Sequence, residues 1–133
     1  MTQVLPKPDI TETSAPYWSA LERGALMFQH CANCGQNQLP ARHECTNCLG
    51  TDLGWVESEG RGTLVTWVDY HRAYDPAFKD QIPYNVAIVE LEEGPRLVTN
   101  VMTTEPEALR IDQPVMFRPT KRFGQSITSF DPL

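Results

Sequence analysis

The chain has 133 residues, of which 41% are hydrophobic and 21% charged. That length accommodates one domain or two very small ones, and the composition excludes a chain too polar to bury a core. A formal net charge of −6 and a pI of about 4.9 argue against nucleic acid as the main partner, because phosphate neutralisation needs a basic face.

The N-terminal stretch Met1 to Pro16 is polar and holds Pro6, Pro8 and Pro16. It lacks the basic start and apolar core of a secretory signal. Nowhere does an apolar run approach the ~20 residues needed to span a bilayer. These features predict a cytoplasmic protein with no membrane partner. Met1 to Thr13 reads as an extended arm. Ser14 is placed to cap a short helix, with Pro16 in its first turn and Gly24 ending it. Tyr17, Trp18 and Leu21 share one face of that helix. The simple expectation is a packing helix, and the same three residues are candidates for a partner interface.

Leu26 to His30 is expected to be a strand leading into the sequence Cys31-Ala-Asn-Cys34-Gly35. A second pair, Cys45-Thr-Asn-Cys48-Leu49-Gly50, follows ten residues after Cys34. A two-residue gap lets both sulfurs of a pair converge on one ion, and the glycine after each pair relieves the tight turn. Two such knuckles make a closed four-sulfur site, the pattern of a structural zinc centre. Disulfides are disfavoured in a cytosolic chain. Iron in a rubredoxin-like site is the competing metal. His30 and His43 flank the knuckles, and a shell already filled by four sulfurs leaves them no ligand role. Four thiolates and one divalent ion together add −2, taking the chain from −6 to about −8.

From Trp55 onward the texture is that of strands. Gly60 to Tyr70, Tyr84 to Leu91, Arg96 to Met102, Val115 to Arg118 and Ser126 to Phe130 are the five expected. A turn at Glu92 to Pro95 makes the second and third a hairpin, and a helical turn is expected within Glu105 to Arg110. Five strands in this arrangement match a small Greek-key barrel of the OB type. The fold class is therefore mainly β: N-terminal helix, rubredoxin-like zinc ribbon, then a five-stranded OB-fold barrel. The expected division is residues 1–25 for arm and helix, 26–54 for the ribbon and 55–133 for the barrel.

Two barrel segments attract functional attention. His71 to Pro83 is a long strandless stretch containing Tyr74 and Phe78. Loops of that length are often functional, and this one reads as a binding or packing surface rather than a catalytic one. Arg118, Lys121 and Arg122 form a basic cluster at an expected loop, with Arg42 and Arg61 as weaker members. Guanidinium groups suit phosphates. No catalytic residue is assigned: the sequence has neither a Gly-x-Ser-x-Gly elbow nor a Gly-rich phosphate loop. A ribbon and an OB barrel also keep open a nucleic-acid-binding alternative.

The order aromatic helix, four-cysteine ribbon, five-stranded barrel resembles one family. It is the "domain of unknown function" family number thirty-five, acyl-CoA-associated zinc-ribbon plus OB-fold proteins. The resembling stretches are Pro16 to Gly24 (PYWSALERG), the two knuckles, Gly50 to Trp67 with its Gly-Arg-Gly-Thr turn, Ile82 to Val101 and Pro114 to Pro119. The resemblance implies a non-catalytic accessory subunit of a thiolase-superfamily enzyme: a thiolase, a condensing enzyme or a retro-aldolase. It implies a structural Zn2+ on Cys31, Cys34, Cys45 and Cys48, and CoA or acyl-CoA as ligand of the complex. The partner would be a thiolase-like catalytic subunit in a hetero-oligomer of two plus two chains. Tyr74 and Phe78 join Tyr17, Trp18 and Leu21 as candidate contacts to it. Arg118, Lys121, Arg122, Arg42 and Arg61 are the candidates for CoA.

Overall fold

The computed structural model describes residues 8–133. The first part of the expected arm, residues 1–7, lies outside the described residues. Helix α1 spans Ala15–Glu22, with Ser14 at its N-cap position and Gly24 just beyond its end at φ +78°. The Ser14 hydroxyl does not cap the helix: it accepts from the Thr11 backbone N–H at 3.0 Å. The serine thus closes the turn before the helix, and Pro16, which has no N–H to satisfy, opens the first turn.

The ribbon is a three-stranded antiparallel sheet in the order β2-β1-β3, built from β1 (Met27–Cys31), β2 (Asn37–Gln38) and β3 (Leu53–Glu57). The strand before the first knuckle begins and ends one residue later than expected. Trp55 lies on β3 opposite Gln29, so it belongs to the ribbon sheet. The second sheet has five strands: β4 (Arg61–Tyr70), β5 (Tyr84–Leu91), β6 (Arg96–Thr99), β7 (Pro114–Arg122) and β8 (Gln125–Pro132), in the order β6-β5-β4-β7-β8.

This sheet curls on itself. Its two edges meet where Val101 bridges Phe130 and the Thr99 hydroxyl donates to the Thr128 carbonyl at 3.0 Å. The curl needs a bend in β4, supplied by a bulge: Leu64 pairs with Val89 but Thr66 pairs with Ile88, leaving Val65 as the extra residue. Leu64 and Trp67 therefore both face the core, three residues apart. One hydrophobic cluster fills the interior, with Leu64, Val89, Leu91, Val115 and Phe130 from the barrel and Leu21 and Leu26 from the helix and ribbon entrance. A single-turn helix at Pro106–Ala108 covers the gap between β6 and β7.

Two expectations need correction. β6 stops at Thr99 rather than Met102, because the Asn85 side chain takes over from the strand ladder. Its amide donates to the Val101 carbonyl (2.6 Å) and accepts from the Val101 N–H (2.8 Å). β7 and β8 are each longer than expected and meet in a tight turn at Phe123 (φ +52°) and Gly124 (φ +77°). Lys121 and Arg122 therefore stand on a strand, not in a loop.

The ribbon is fastened to the barrel through Glu93, in the turn between β5 and β6. Its carboxylate accepts from the Ser58 hydroxyl at 3.0 Å and the Glu59 backbone N–H at 2.9 Å. Its carbonyl accepts from the Asn37 amide of β2 at 2.9 Å.

Candidate metal centre and the basic end of the barrel

β1 runs directly onto Cys31, and each knuckle then closes with a backbone bond. The Gly35 N–H donates to the Cys31 carbonyl (2.8 Å) and the Leu49 N–H to the Cys45 carbonyl (3.0 Å). Backbone amides also aim at sulfur: Asn47 N–H at Cys45 Sγ and Gly50 N–H at Cys48 Sγ, both 3.4 Å. Cys31 and Cys45 are buried, while Cys34 and Cys48 face solvent. All four sulfurs lie within 4.8 Å of one another, with Cys34–Cys45 at 3.5 Å and Cys31–Cys48 at 3.6 Å. A tetrahedron with zinc–sulfur bonds of 2.3 Å has edges of about 3.8 Å, so the thiols fit that ion.

Their electrostatics point the same way. The Gln36 backbone N–H, with help from Asn47, draws the Cys34 thiol down to about 6. Cys48 is drawn down by the Gly50 N–H but, crowded by Cys31 and the other two thiols, ends pushed up to about 12. Four sulfurs this close cannot all hold negative charge without a cation among them. Zinc bound here would supply a fixed tetrahedral node tying the two knuckles together. His30 bonds Asn37 Oδ1 at 2.7 Å and His43 bonds Thr13 Oγ1 at 2.9 Å, so both rings are engaged elsewhere.

The turn chemistry differs between knuckles. Gly35 adopts φ +79°, as a glycine there allows, but in the second knuckle Leu49 holds the left-handed position at φ +63°. Gly50 leaves room instead: a Cβ there would displace the Asn33 side-chain amide and come within 3.2 Å of Cys48 Sγ.

Behind the sulfurs lies a pair of buried glutamines that sequence reading missed. Gln29 Oε1 accepts from the Arg42 N–H (2.9 Å) and from the Gln38 amide (2.9 Å), and its own amide donates to the Arg42 carbonyl (3.0 Å). Gln38 also donates to the Glu44 carbonyl (3.2 Å) and accepts from the Thr46 N–H (2.9 Å). Together they hold the segment that delivers Cys45. Gln29, a polar residue in the mostly apolar β1, was the available signal; Gln38, on the two-residue β2, offered none.

The five basic candidates are scattered. Arg42 is exposed in the inter-knuckle segment and meets Gln29 only through its backbone. Arg61 is exposed at the start of β4. Arg118 pairs with Asp131 at 3.2 Å. Lys121 and Arg122 alone are brought together, both lining a cleft of about 250 Å³ at one end of the barrel. Arg122 is half-buried, donates to Asn100 Oδ1 at 3.0 Å and lies over the Phe78 ring at 5.4 Å. Burial draws its pKa down, with the Tyr84 phenol partly opposing the shift.

The interface candidates divide as well. Leu21 is 3% exposed and belongs to this chain's own core. Tyr17 bonds Thr128 Oγ1 at 2.6 Å, its phenol raised by burial. Trp18 lines an apolar cleft of about 560 Å³ with Leu39, Pro40, Ile88 and Val98. Phe78 sits in a chain of rings with Tyr84 (5.3 Å) and Phe123 (5.5 Å), whereas Tyr74 is 72% exposed, edge-on to Tyr70.

Known proteins match this architecture. The model of the ChsH2 rubredoxin-like zinc ribbon domain matches residues 18–54, and that of the ChsH2 C-terminal OB-fold domain residues 55–118. A DUF35 domain-containing scaffold protein of Methanocaldococcus jannaschii is 35% identical over 106 residues, covering 77% of this chain and 74% of that protein. The chain belongs to the DUF35 family. Among solved structures, this DUF35 chain superposes on a chain of the Ltp2-ChsH2(DUF35) aldolase with a TM-score of 0.83 and 32% identity, covering 95% of this chain and 98% of that one. A probable enoyl-CoA hydratase alpha subunit of Thermomonospora curvata is 36% identical over 111 residues, or 84% of this DUF35 chain. Only 34% of that protein is covered, so this chain spans about a third of its length. Among the described residues no helix is long and apolar enough to cross a membrane.

Proposed function

We propose that this chain is a non-catalytic accessory subunit of a thiolase-superfamily enzyme acting on acyl-CoA, working in the cytoplasm in a two-plus-two assembly. The observation that carries the reading is the match over nearly the whole of both chains to the DUF35 component of an aldolase. The chemistry of the chain supports it. All four of its cysteines are committed to one cluster, which leaves no thiol for acyl transfer. A zinc with four sulfur ligands has no open position from which to activate water or a carbonyl. The catalytic subunit docks on Trp18, Tyr74 and the ribbon, large side chains of the type enriched in interfaces.

Co-expression with a thiolase-like protein is the test. A stable complex should co-elute, and carbon–carbon bond formation or cleavage on an acyl-CoA should need both chains. Turnover by this chain alone refutes the proposal. So does failure to co-purify, combined with single-stranded nucleic-acid binding of steep salt dependence.

A further inference from the structure

Arg122 separates two clefts. The smaller, about 250 Å³, is lined by Lys121, Arg122, Gln81 and Asn100, and no carboxylate is among its lining residues. The larger, about 560 Å³, shares Arg122, Gln81, Asn100 and Met102 with it and opens toward Tyr84, Pro83 and Pro106, with Asp69 and Glu107 on its wall. Charge is thus polarised across one guanidinium: cations on one side, carboxylates on the other.

Arg122 itself is unusually placed. Among the described residues the ion pairs are Arg96–Glu90 and Arg118–Asp131; Arg122 is in neither. Residues 1–7 carry no acidic side chain. Of its five N–H donors, one is spent on Asn100. A half-buried cation without a counter-charge has lost hydration that only an anion restores in full. Stacking on Phe78 and the bond to Asn100 fix the fork in place before any ligand arrives.

We infer that the paired clefts form a nucleotide subsite, with phosphate in the smaller cleft against Arg122 and Lys121 and the nucleoside in the larger one. A bidentate guanidinium suits phosphate oxygens. The larger cleft has apolar and aromatic walls for a flat ring (Tyr84, Met102, Pro83) and the Gln81 amide at its edge. Asp69 and Glu107 repel phosphate from that side and accept sugar hydroxyls. The direction of binding follows from this polarity. The inference rests on the acyl-CoA reading above, CoA being a ligand that ends in such a nucleotide. It excludes Arg118, whose charge Asp131 already answers, along with Arg42 and Arg61.

The experiment is calorimetric titration of the zinc-loaded full chain with adenosine 3′,5′-bisphosphate, with pantetheine and inorganic phosphate as part-ligands. The bisphosphate should bind and be displaced by CoA, pantetheine should be silent, and phosphate should bind more weakly than the bisphosphate. Arg122→Gln should weaken the bisphosphate about tenfold or more, the loss expected for a charge-assisted bond. Lys121→Gln, at an exposed position that leaves the fold undisturbed, should weaken it roughly threefold, and Arg118→Gln should leave it unchanged. Pantetheine binding as tightly as the bisphosphate overturns the subsite. So does an Arg122→Gln protein of unaltered affinity, or phosphate binding as tightly as the whole nucleotide. Co-elution with a thiolase-like subunit is scored separately. Co-elution without nucleotide binding overturns the subsite alone, and nucleotide binding without co-elution overturns the accessory-subunit reading alone.

Discussion

Replacing Gln38 by alanine tests how the metal centre is held. The side chain is buried and makes bonds to Gln29 Oε1 (2.9 Å), the Glu44 carbonyl (3.2 Å) and the Thr46 N–H (2.9 Å). Glu44 and Thr46 lie on exposed residues, so water recovers part of each loss. At about 1 kcal/mol per bond the cost is roughly 2–3 kcal/mol. Metal affinity and ribbon folding draw on the same free energy, so zinc affinity should fall by about 30- to 150-fold. Equilibrium competition with a chromogenic chelator reads this directly. Glu44→Ala, which leaves the Glu44 carbonyl in place, should hold its affinity. A Gln38→Ala protein within about threefold of the parent would refute the reasoning, because at 1.4 kcal/mol per decade it allows the glutamine less than 1 kcal/mol.

Gly62→Ala should lose about 1–3 kcal/mol in urea unfolding, because its Cβ would lie 2.7 Å from the Glu90 carbonyl oxygen and 2.8 Å from Val89 Cγ1; an unchanged midpoint would mean that β4 and β5 separate freely. Leu49→Gly should raise stability by about 0.5–1 kcal/mol, the left-handed strain removed less the entropy glycine adds. Leu49 is 72% exposed, so little burial is given up, and a lower urea midpoint would count against strain at that position.

Local chemistry was the most legible. The four cysteines could be assigned from spacing, because each knuckle is a turn of a few residues whose geometry its own sequence dictates. The barrel strands with apolar alternation, such as Tyr84–Leu91, were equally plain. What escaped was structure held from a distance. β2 is two residues long, too short for any periodicity. The far half of β7, Arg118 to Arg122, has no apolar alternation. It is a strand because β8 pairs with it along its length while β4 pairs only with Pro114 to Met116. That one-sided pairing leaves β7 a free edge at Pro119, where a proline is tolerated. The left-handed turn at Leu49 was misplaced onto Gly50, since residue type alone names glycine first. Within the basic cluster, sequence proximity joined Arg118 to Arg122, but Asp131, thirteen positions beyond Arg118, decides that only one of them is free.

The bulge at Val65 has a consequence for how this surface can change over time. Beyond it, Trp67 turns inward while Thr66, Val68 and Tyr70 share the outer face with Ile88, Val86 and Tyr84. Which side each residue occupies is set by a count, not by its chemistry. A substitution along β4 alters one spot. Loss of the extra residue would only remove the bulge, but one residue gained between Thr66 and Trp67 inverts the parity of everything after it, sending Val68 and Tyr70 toward the core and Trp67 into solvent. The aromatic end of the barrel is therefore tolerant of altered letters and intolerant of added length, so drift within the family should preserve the spacing from Thr66 to Tyr70 more strictly than the residues that fill it.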